Sequence, residues 1–312
     1  MKNIVEKEKG QQVKMLWSLL LIPLIGLQRN ANGHVSDCRP EGTKGTSQDM
    51  EELNGTTSQS SNYTPQEDKE EKIPYVSDRA MDNDRSTCAH TLKLQNSWWR
   101  IDLEGVYTIS CISIYNKEHR TIEKARIYIG NSRESNGTAN KINKTITNFN
   151  KTTWNHFQFN QSASGRYITV FLPEHENLIL CEVKIYGKKK ESPFKLIKEN
   201  KTWEEALYHC RDNEMDLASI LDDEDQAWAE LQARDADTDH VWLGLHYTCI
   251  LQFWFWVDDN RLDFSRLDQE SKEEECDTSV VMETQEEHLW FRKSDYDEFN
   301  FICRVRKEKP RG

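Results

Sequence analysis

The chain has 312 residues, a formal charge of -12 at pH 7, 36% hydrophobic residues and ten tryptophans. That length and composition argue for two globular domains, and the acidic balance excludes nucleic acid or an anionic membrane as the main partner. A mean hydropathy of -0.84 with a single short apolar run excludes a polytopic membrane protein, and neither a collagen nor a coiled-coil repeat is present.

The first element is that apolar run, Met15 to Leu27, preceded by Lys2, Lys7, Lys9 and Lys14 and followed by Ala31-Asn32-Gly33. Basic, then apolar, then small residues is the order of a signal peptide, here residues 1–33. An uncleaved anchor would need about 20 apolar residues, and Pro23 interrupts the run. Secretion is also expected from Asn-x-Ser/Thr sites at Asn54, Asn62, Asn136, Asn143, Asn150, Asn160 and Asn200, seven where chance would give about three. The eight cysteines form no Cys-x-x-Cys, so disulfides are expected rather than zinc sites.

Residues 34–47 form a polar segment, and the chain as far as about residue 75 is rich in Ser, Thr, Glu and Lys, which reads as mostly exposed or loosely ordered. From Tyr75 to Gly187 come short β-branched and aromatic runs: Trp98 to Leu103, Val106 to Ile114, Arg126 to Ile129, Tyr167 to Leu172 and Val183 to Tyr186, with a turn at Asn136-Gly137. Many short strands without helical periodicity predict an antiparallel sandwich. Lys188-Lys189-Lys190 opens a linker over 188–192.

The period then changes. Thr202-Trp-Glu-Glu205 is a capping box, and Trp203, Ala206, Leu207 and Cys210 follow at helical spacing. A second helix is predicted from Asp223 to about Ala233, then strands at Val241 to Leu245, Phe253 to Val257, Val280 to Met282, Leu289 to Phe291 and Asn300 to Val305. Helices followed by strands make residues 193–306 an α+β domain, leaving 307–312 as a tail.

Trp98-Trp-Arg-Ile-Asp-Leu-Glu-Gly-Val-Tyr-Thr-Ile109, Gly165-Arg-Tyr-Ile-Thr-Val-Phe-Leu-Pro173 and Leu180-Cys-Glu-Val183, with Ala80-Met81-Asp82 and Asn54 to Ser61 before them, carry a resemblance to the F-type lectins. These are fucose-binding jelly rolls, and the likeness covers residues 48–187. It implies a calcium ion propping the sugar loops, with Asp82 and Glu182 as carboxylate ligands and oxygens of Arg79, Asp84, Thr87 and Cys181 completing the shell. Calcium takes six to eight such oxygens, whereas a solvated acidic loop at Asp82-Asn-Asp84 is the alternative. The resemblance pairs Cys88 with Cys181. For the sugar it implies His90 and a basic residue at Lys117. His119 stands where the family has Asp, and either Arg120 or Lys124 supplies the second cation. Lysine for arginine replaces a rigid fork of donors by a mobile point charge, so altered glycan specificity is an open alternative.

Residues 193–306 resemble the C-type lectin-like fold through the Thr202 to Ala206 helix start, Met215-Asp-Leu-Ala-Ser-Ile220, Trp242-Leu-Gly-Leu245, Phe253-Trp-Phe-Trp-Val257 and Asn300-Phe-Ile-Cys303. The resemblance pairs Cys210 with Cys303 and leaves Cys249 for Cys276. The family's calcium and sugar triplets are absent: the strand reads Leu289-Trp-Phe-Arg-Lys293, with Arg and Lys where oxygen ligands would stand. Protein binding is the expectation for this domain. Glu273 to Glu275 read as a solvated face, and Trp254 and Trp256 as core. Cys38 and Cys111 are left open, either paired with each other or bridging to a second chain.

The sequence therefore predicts a multidomain protein, an all-β jelly-roll sandwich followed by an α+β C-type lectin-like domain. The functional expectation is a secreted, calcium-supported lectin of innate-defence type for fucosylated glycans, with a protein ligand on the second domain and several copies acting together. The alternative is an adhesion or receptor-ligand protein in which neither domain binds sugar. No Gly-x-Ser-x-Gly, His-Glu-x-x-His, P-loop or Rossmann pattern occurs, so no enzyme activity is expected.

Overall fold

Strict alternation along Ser97 to Leu103 buries Ser97, Trp99, Ile101 and Leu103 and turns Trp98, Arg100 and Asp102 to the opposite face. A β-strand does this because successive side chains leave opposite sides of the pleat. The computed structural model describes residues 38, 50–65, 73–117, 122–159, 163–268, 276–285 and 287–305. The strands of the first module are β1 (Glu51–Leu53), β2 (Thr56–Gln59), β3 (Ala89–His90), β4 (Ser97–Tyr115), β5 (Arg126–Gly130), β6 (Lys141–Thr145), β7 (Asn155–Gln158), β8 (Ser164–Leu172), β9 (Ile179–Leu180) and β10 (Glu182–Lys189). Eight of them form one antiparallel sheet in the order β1-β10-β4-β8-β5-β6, with β2 and β7 also on β4, and β3 pairs β9 separately.

β4 replaces two expected strands by one. Its first half lies between β2 and β8 and its second between β10 and β7. The register shifts between Asp102 and Tyr107, where Glu104 takes a left-handed φ of 54° and donates its N–H to Asp102 Oδ1 at 2.9 Å. Trp99, Ile101, Ile112, Ile114, Ile127, Ile168, Val170 and Ile185 fill the core between the layers. Gly165 is dictated by close approach, since a Cβ there would lie 2.5 Å from the Gly130 backbone. Asn136-Gly137 forms not a tight hairpin but a 3-10 turn, with positive φ at Ser135, Asn136 and Gly137.

The second module contains β11 (Phe194–Lys201), α1 (Trp203–Asp212), β12 (Met215–Leu217), α2 (Asp223–Ala233), β13 (His240–Thr248), β14 (Phe253–Trp256), β15 (Thr278–Glu283), β16 (Trp290–Ser294) and β17 (Phe299–Val305). Its sheet runs β11-β17-β13-β15-β16, with β12 on β17, β14 on β13 and one parallel pair, β13 with β17. α1 starts at the expected capping box, with Glu205 N–H donating to Thr202 and Thr202 N–H donating to Glu205. α2 is capped by Asp222, whose carboxylate accepts from Glu224 and Asp225 N–H. Both helices begin in acidic residues, which suit the positive end of the helix dipole. The fold class is thus a jelly-roll β-sandwich followed by an α+β module.

Four disulfides use all eight cysteines: Cys38–Cys111, Cys88–Cys181, Cys210–Cys303 and Cys249–Cys276. The first settles the open alternative in favour of an internal bridge, and it ties the polar segment to β4. Residues 51–53 and 56–59 are more ordered than composition suggests, because β1 and β2 take backbone partners from β10 and β4. The linker expectation needs a similar correction. Lys188 and Lys189 continue β10, Lys190 N–H donates to Val106 O at 2.9 Å, and its ammonium pairs with Glu224.

The two modules meet through a buried charge cluster. Arg166, 2% exposed, donates from Nε and Nη2 to Asp102 at 2.8 and 2.7 Å, and from Nη1 to Glu230 of α2 at 2.9 Å. Glu230 also accepts from Gln226 at 3.2 Å. Beside this cluster Val106 of β4 lies in the core of the second module with Ala227, Ala229, Val241 and Trp256. Exposed pairs ring the contact, Arg133 with Glu287 at 3.0 Å and Arg266 with Glu134 at 3.5 Å, and such pairs contribute little individually.

Removing Arg166 would leave two carboxylates buried without their partner. Arg166→Ala should destabilise the chain by about 3 to 5 kcal/mol in urea unfolding, and a loss under about 1 kcal/mol would show that water reaches the cluster. Burial pushes the Asp102 carboxyl up, but the Arg166 fork, the Glu104 N–H and the Arg234 charge outweigh it and hold the pKa below the ordinary value. Its contribution is therefore complete above about pH 4, the unfolded carboxylate range, and is lost as pH falls through the lower folded value. Urea midpoints measured from about pH 6 to pH 2 should fall less steeply for Asp102→Asn than for the native chain.

Candidate functional site

β3 pairs with β9 so that His90 stands opposite Ile179, at one end of the first module. Asn116, fully buried, clamps this corner: its amide donates to Ile179 O at 2.8 Å and its carbonyl accepts from Cys181 N–H at 3.1 Å. The His90 backbone is bracketed by Tyr63, whose N–H donates to His90 O, and by Tyr75, whose carbonyl accepts from His90 N–H. The rings follow the backbone, with Tyr63 4.6 Å and Tyr75 5.8 Å from the imidazole centroid. Asn177 meets His90 Nε2 at 2.5 Å. An imidazole with two aromatic walls and an amide on Nε2 is oriented, not a free surface histidine.

The loop after β8 gathers the other expected sugar residues unevenly. Asn177 touches His90, while Glu174 of the same loop accepts from Lys124 Nζ at 2.6 Å. That carboxylate raises the Lys124 pKa through its hydrogen bond and its charge. Lys117 donates to Ser86 O. His119 and Arg120 lie outside the described residues.

The expected calcium residues lie between the Cys88–Cys181 bridge and β10. Asp82 Oδ1 accepts from Asp84 N–H at 2.9 Å and Oδ2 from the Thr87 hydroxyl at 2.5 Å. Asp84 turns its carboxylate to Ser86, whose hydroxyl and whose N–H, at 2.8 Å, both lower its pKa, and its carbonyl accepts from Thr87. Arg79 lies over the Tyr75 ring at 4.7 Å. Across the bridge, Glu182 is 2% exposed and its Oε2 has no hydrogen-bond partner. Burial pushes the Glu182 carboxyl up to about 7 against the pull of Lys184, and Asp82 adds repulsion. A carboxylate both desolvated and facing another is destabilised as an anion, and a divalent cation would relieve both terms. The donor set, two carboxylates with Thr87 and backbone oxygens, suits a hard oxygen-seeking ion. Among the described residues no group of three or more His, Cys, Asp or Glu side chains converges on one point, so carbonyls would complete such a shell.

In the second module Trp256 is fully buried, as expected, but Trp254 is only partly so. It lines a cleft of about 380 Å³ with Phe253, Phe255, Asn260 and Leu262, and the Arg292 guanidinium lies 5.6 Å from its ring. A cation thus stands against an aromatic face at this strand position. Beside the cleft the tip between β13 and β14 exposes Ile250 by 92%, Leu251 by 65% and Phe253 by 47%. Glu273 to Glu275 lie outside the described residues, as do Asn160 and the apolar run Met15 to Leu27. Of the other glycosylation sites, Asn54, Asn62, Asn136, Asn150 and Asn200 are exposed and Asn143 is half-buried.

Sequence reasoning missed Tyr63, Tyr75, Asn116 and Asn177. The tyrosines precede the strand segment by many residues and bear no spacing relation to His90. Asn116 stands beside Lys117, and only its burial reveals its part in the corner.

Two family models match the chain: "NedA-like, galactose-binding domain" over residues 79–170 and "Lectin C-type domain" over residues 199–305. Fucolectin-1 of Anguilla japonica is 40% identical over 110 residues, which are 34% of this chain and 62% of that protein. The chain thus spans about three fifths of that relative's length. Among solved structures, the F-lectin (fucolectin) from Morone saxatilis (striped bass) serum is 28% identical with a TM-score of 0.40, covering 52% of this chain and 60% of that one. Human lithostathine is 18% identical with a TM-score of 0.34, covering 36% of this chain and 83% of that one. The chain carries, in order, an F-type lectin-like module and a C-type lectin-like module.

Proposed function

We propose that the chain is a secreted lectin of innate-defence type whose first module, residues 48–187, binds fucose-type glycans with the support of calcium. Residues 1–33 are its cleaved signal peptide, and residues 193–306 form a module that engages a protein ligand. The observation that carries the reading is the orphaned Oε2 of Glu182, buried beside Asp82 at the foot of the loop that Cys88 and Lys117 hold. Its relatives named fucolectins support the sugar class.

Bound calcium would supply positive charge at Asp82 and Glu182 and fix the 82–87 loop through the oxygens of Arg79, Asp84, Thr87 and Cys181. The sugar chemistry belongs to side chains. Fucose is neutral, so its affinity comes from hydrogen bonds to ring hydroxyls and apolar contact with its methyl group. His90, held by Asn177 and flanked by Tyr63, offers an oriented imidazole edge with an apolar ring beside it. Lys117 reaches in as a point charge, with Arg120 or Lys124 as the second cation, and Lys124 must share its charge with Glu174. A lysine in place of a rigid fork at position 117 predicts weak monosaccharide affinity, made effective by several copies.

The exposed Ile250, Leu251 and Phe253 beside the Trp254 cleft favour protein binding for the second module, since isolated apolar tips of this kind are contact surfaces rather than sugar cradles.

Glu182→Gln tests the ion. Saturating calcium at about 100 times its Kd should stabilise the native chain by about 2.7 kcal/mol, seen as a rise in Tm. The variant should lose that rise and in chelator be at least as stable as the native chain, because a buried charge is gone; a rise that persists removes Glu182 from the site. His90→Ala tests the sugar contact. Retention on immobilised fucose should vanish in chelator, and the variant should lose roughly tenfold or more in affinity while keeping the calcium-induced rise in Tm. Retention that ignores calcium and survives this substitution would remove the His90 corner and its ion from fucose binding, and no retention at all would favour the adhesion or receptor-ligand alternative.

A further inference from the structure

The faces of β2, β4 and β8 that turn away from the sandwich core meet the end of α2 in a cleft of about 350 Å³. Four arginines line it, Arg100, Arg133, Arg166 and Arg234, against the carboxylates of Asp102 and Glu104, with Thr56, Thr57 and Ser58 of β2 along one wall. A cationic lining in a chain of charge -12 is unexpected. Three of the arginines have carboxylates: Arg166 holds Asp102 and Glu230, Arg133 reaches out to Glu287, and Arg234 lies 3.6 Å from Asp102, which Arg166 already occupies.

Arg100 is different. Its guanidinium lies 5.4 Å from the Trp98 ring centroid and 5.7 Å from that of Tyr167, and Nη1 donates to Arg133 O at 3.3 Å. Among the described residues no carboxylate lies within ion-pair distance of it. Burial lowers its pKa from the ordinary arginine value against the pull of Tyr167 and of the more distant Asp102 charge, with a smaller contribution from the Arg133 charge. The neighbouring Tyr167 hydroxyl is pushed up to about 12 by burial, so it stays protonated and a possible donor. The sandwich thus holds a half-buried cation in place, oriented by two rings, without providing its anion.

We propose that this cleft is a second glycan site, separate from the His90 corner, for a saccharide bearing a carboxylate or sulfate group. The anionic group would lie on the planar fork of Arg100, which offers paired N–H donors that match two oxygens, with Arg234 of the second module closing over it. Thr56 and Ser58, at alternate positions of β2, would take the sugar's own hydroxyls. A polar lining suits a saccharide and does not suit a lipid, and the volume accommodates one or two sugar rings. Because Arg234 caps α2 while Arg100 stands on β4, the ligand would touch both modules and add to the contact between them.

The test is calorimetric titration of the full chain in chelator with sialyllactose, lactose 3'-sulfate, lactose and inorganic sulfate. None of these contains fucose, so failure here is distinct from failure of the first site. The expected result is binding of at least one acidic sugar, no binding of lactose, and affinity that falls as salt rises. Which acidic sugar binds more tightly identifies carboxylate or sulfate as the preferred group. Arg234→Gln, at an exposed helix end, and Arg100→Gln should each weaken binding roughly tenfold or more, with Arg100→Lys intermediate because it keeps the charge and loses the fork. Arg234→Gln decides the matter if Arg100→Gln does not fold. Equal binding of lactose, binding of inorganic sulfate as tight as that of the sulfated sugar, no binding at all, or affinity unchanged in Arg234→Gln would overturn the proposal.

Discussion

The contact of Arg166 with Asp102 and Glu230 is the constraint on which the arrangement of this chain rests. A guanidinium and two carboxylates lose water together, and that desolvation is offset only if every charge keeps its partner in good geometry. Asp102 and Arg166 sit on adjacent strands of the first module, so they are positioned by its sheet before the second module is present. Glu230 completes the set from α2 and is itself held by Gln226, whose carbonyl accepts from Trp290 at 3.0 Å. The charge cluster is thus continuous with the apolar core of the second module. Val106, delivered into that core by the irregularity at Glu104, supplies the apolar half of the same contact.

The same strand organises both proposed ligand sites. At its far end β4 runs into Asn116, which clamps the corner carrying His90, and then into Lys117. At its near end the alternation that buries Trp99 and Ile101 presents Arg100 and Asp102 to the junction. Each site leaves one ionisable group incompletely compensated, Glu182 with an Oε2 that has no hydrogen-bond partner and Arg100 with no carboxylate at ion-pair distance among the described residues. Native structures avoid such groups unless something else compensates them, and opposite signs call for different ligands.

The core of the second module is built around its tryptophans. Three of them donate to protein acceptors, Trp203 to Leu243 O at 2.9 Å, Trp242 to Lys201 O at 3.0 Å and Trp290 to Gln226 Oε1 at 3.0 Å, whereas Nε1 of Trp254 and of Trp256 is buried without a partner. The Cys249–Cys276 bridge anchors the start of the exposed tip at Ile250 and Leu251, so an apolar surface is displayed from a restrained base.

Local pattern determined much of this. The period-two burial of β4, the capping box at Thr202, the helical spacing from Trp203 to Cys210 and the span of α2 follow from neighbours within a few residues, and all are present in the structure. What only the tertiary structure decided involves partners far apart in the chain. Arg166 lies 64 residues from Asp102 and 64 from Glu230, and nothing near it in sequence marks it as buried or paired. Tyr63, Tyr75 and Asn177 reach His90 in the same non-local way, and the partner of Cys38 stands 73 residues on. Secondary structure is written in short-range spacing because the backbone repeats over a few residues, whereas a charge's environment is set by whatever the folded chain brings beside it.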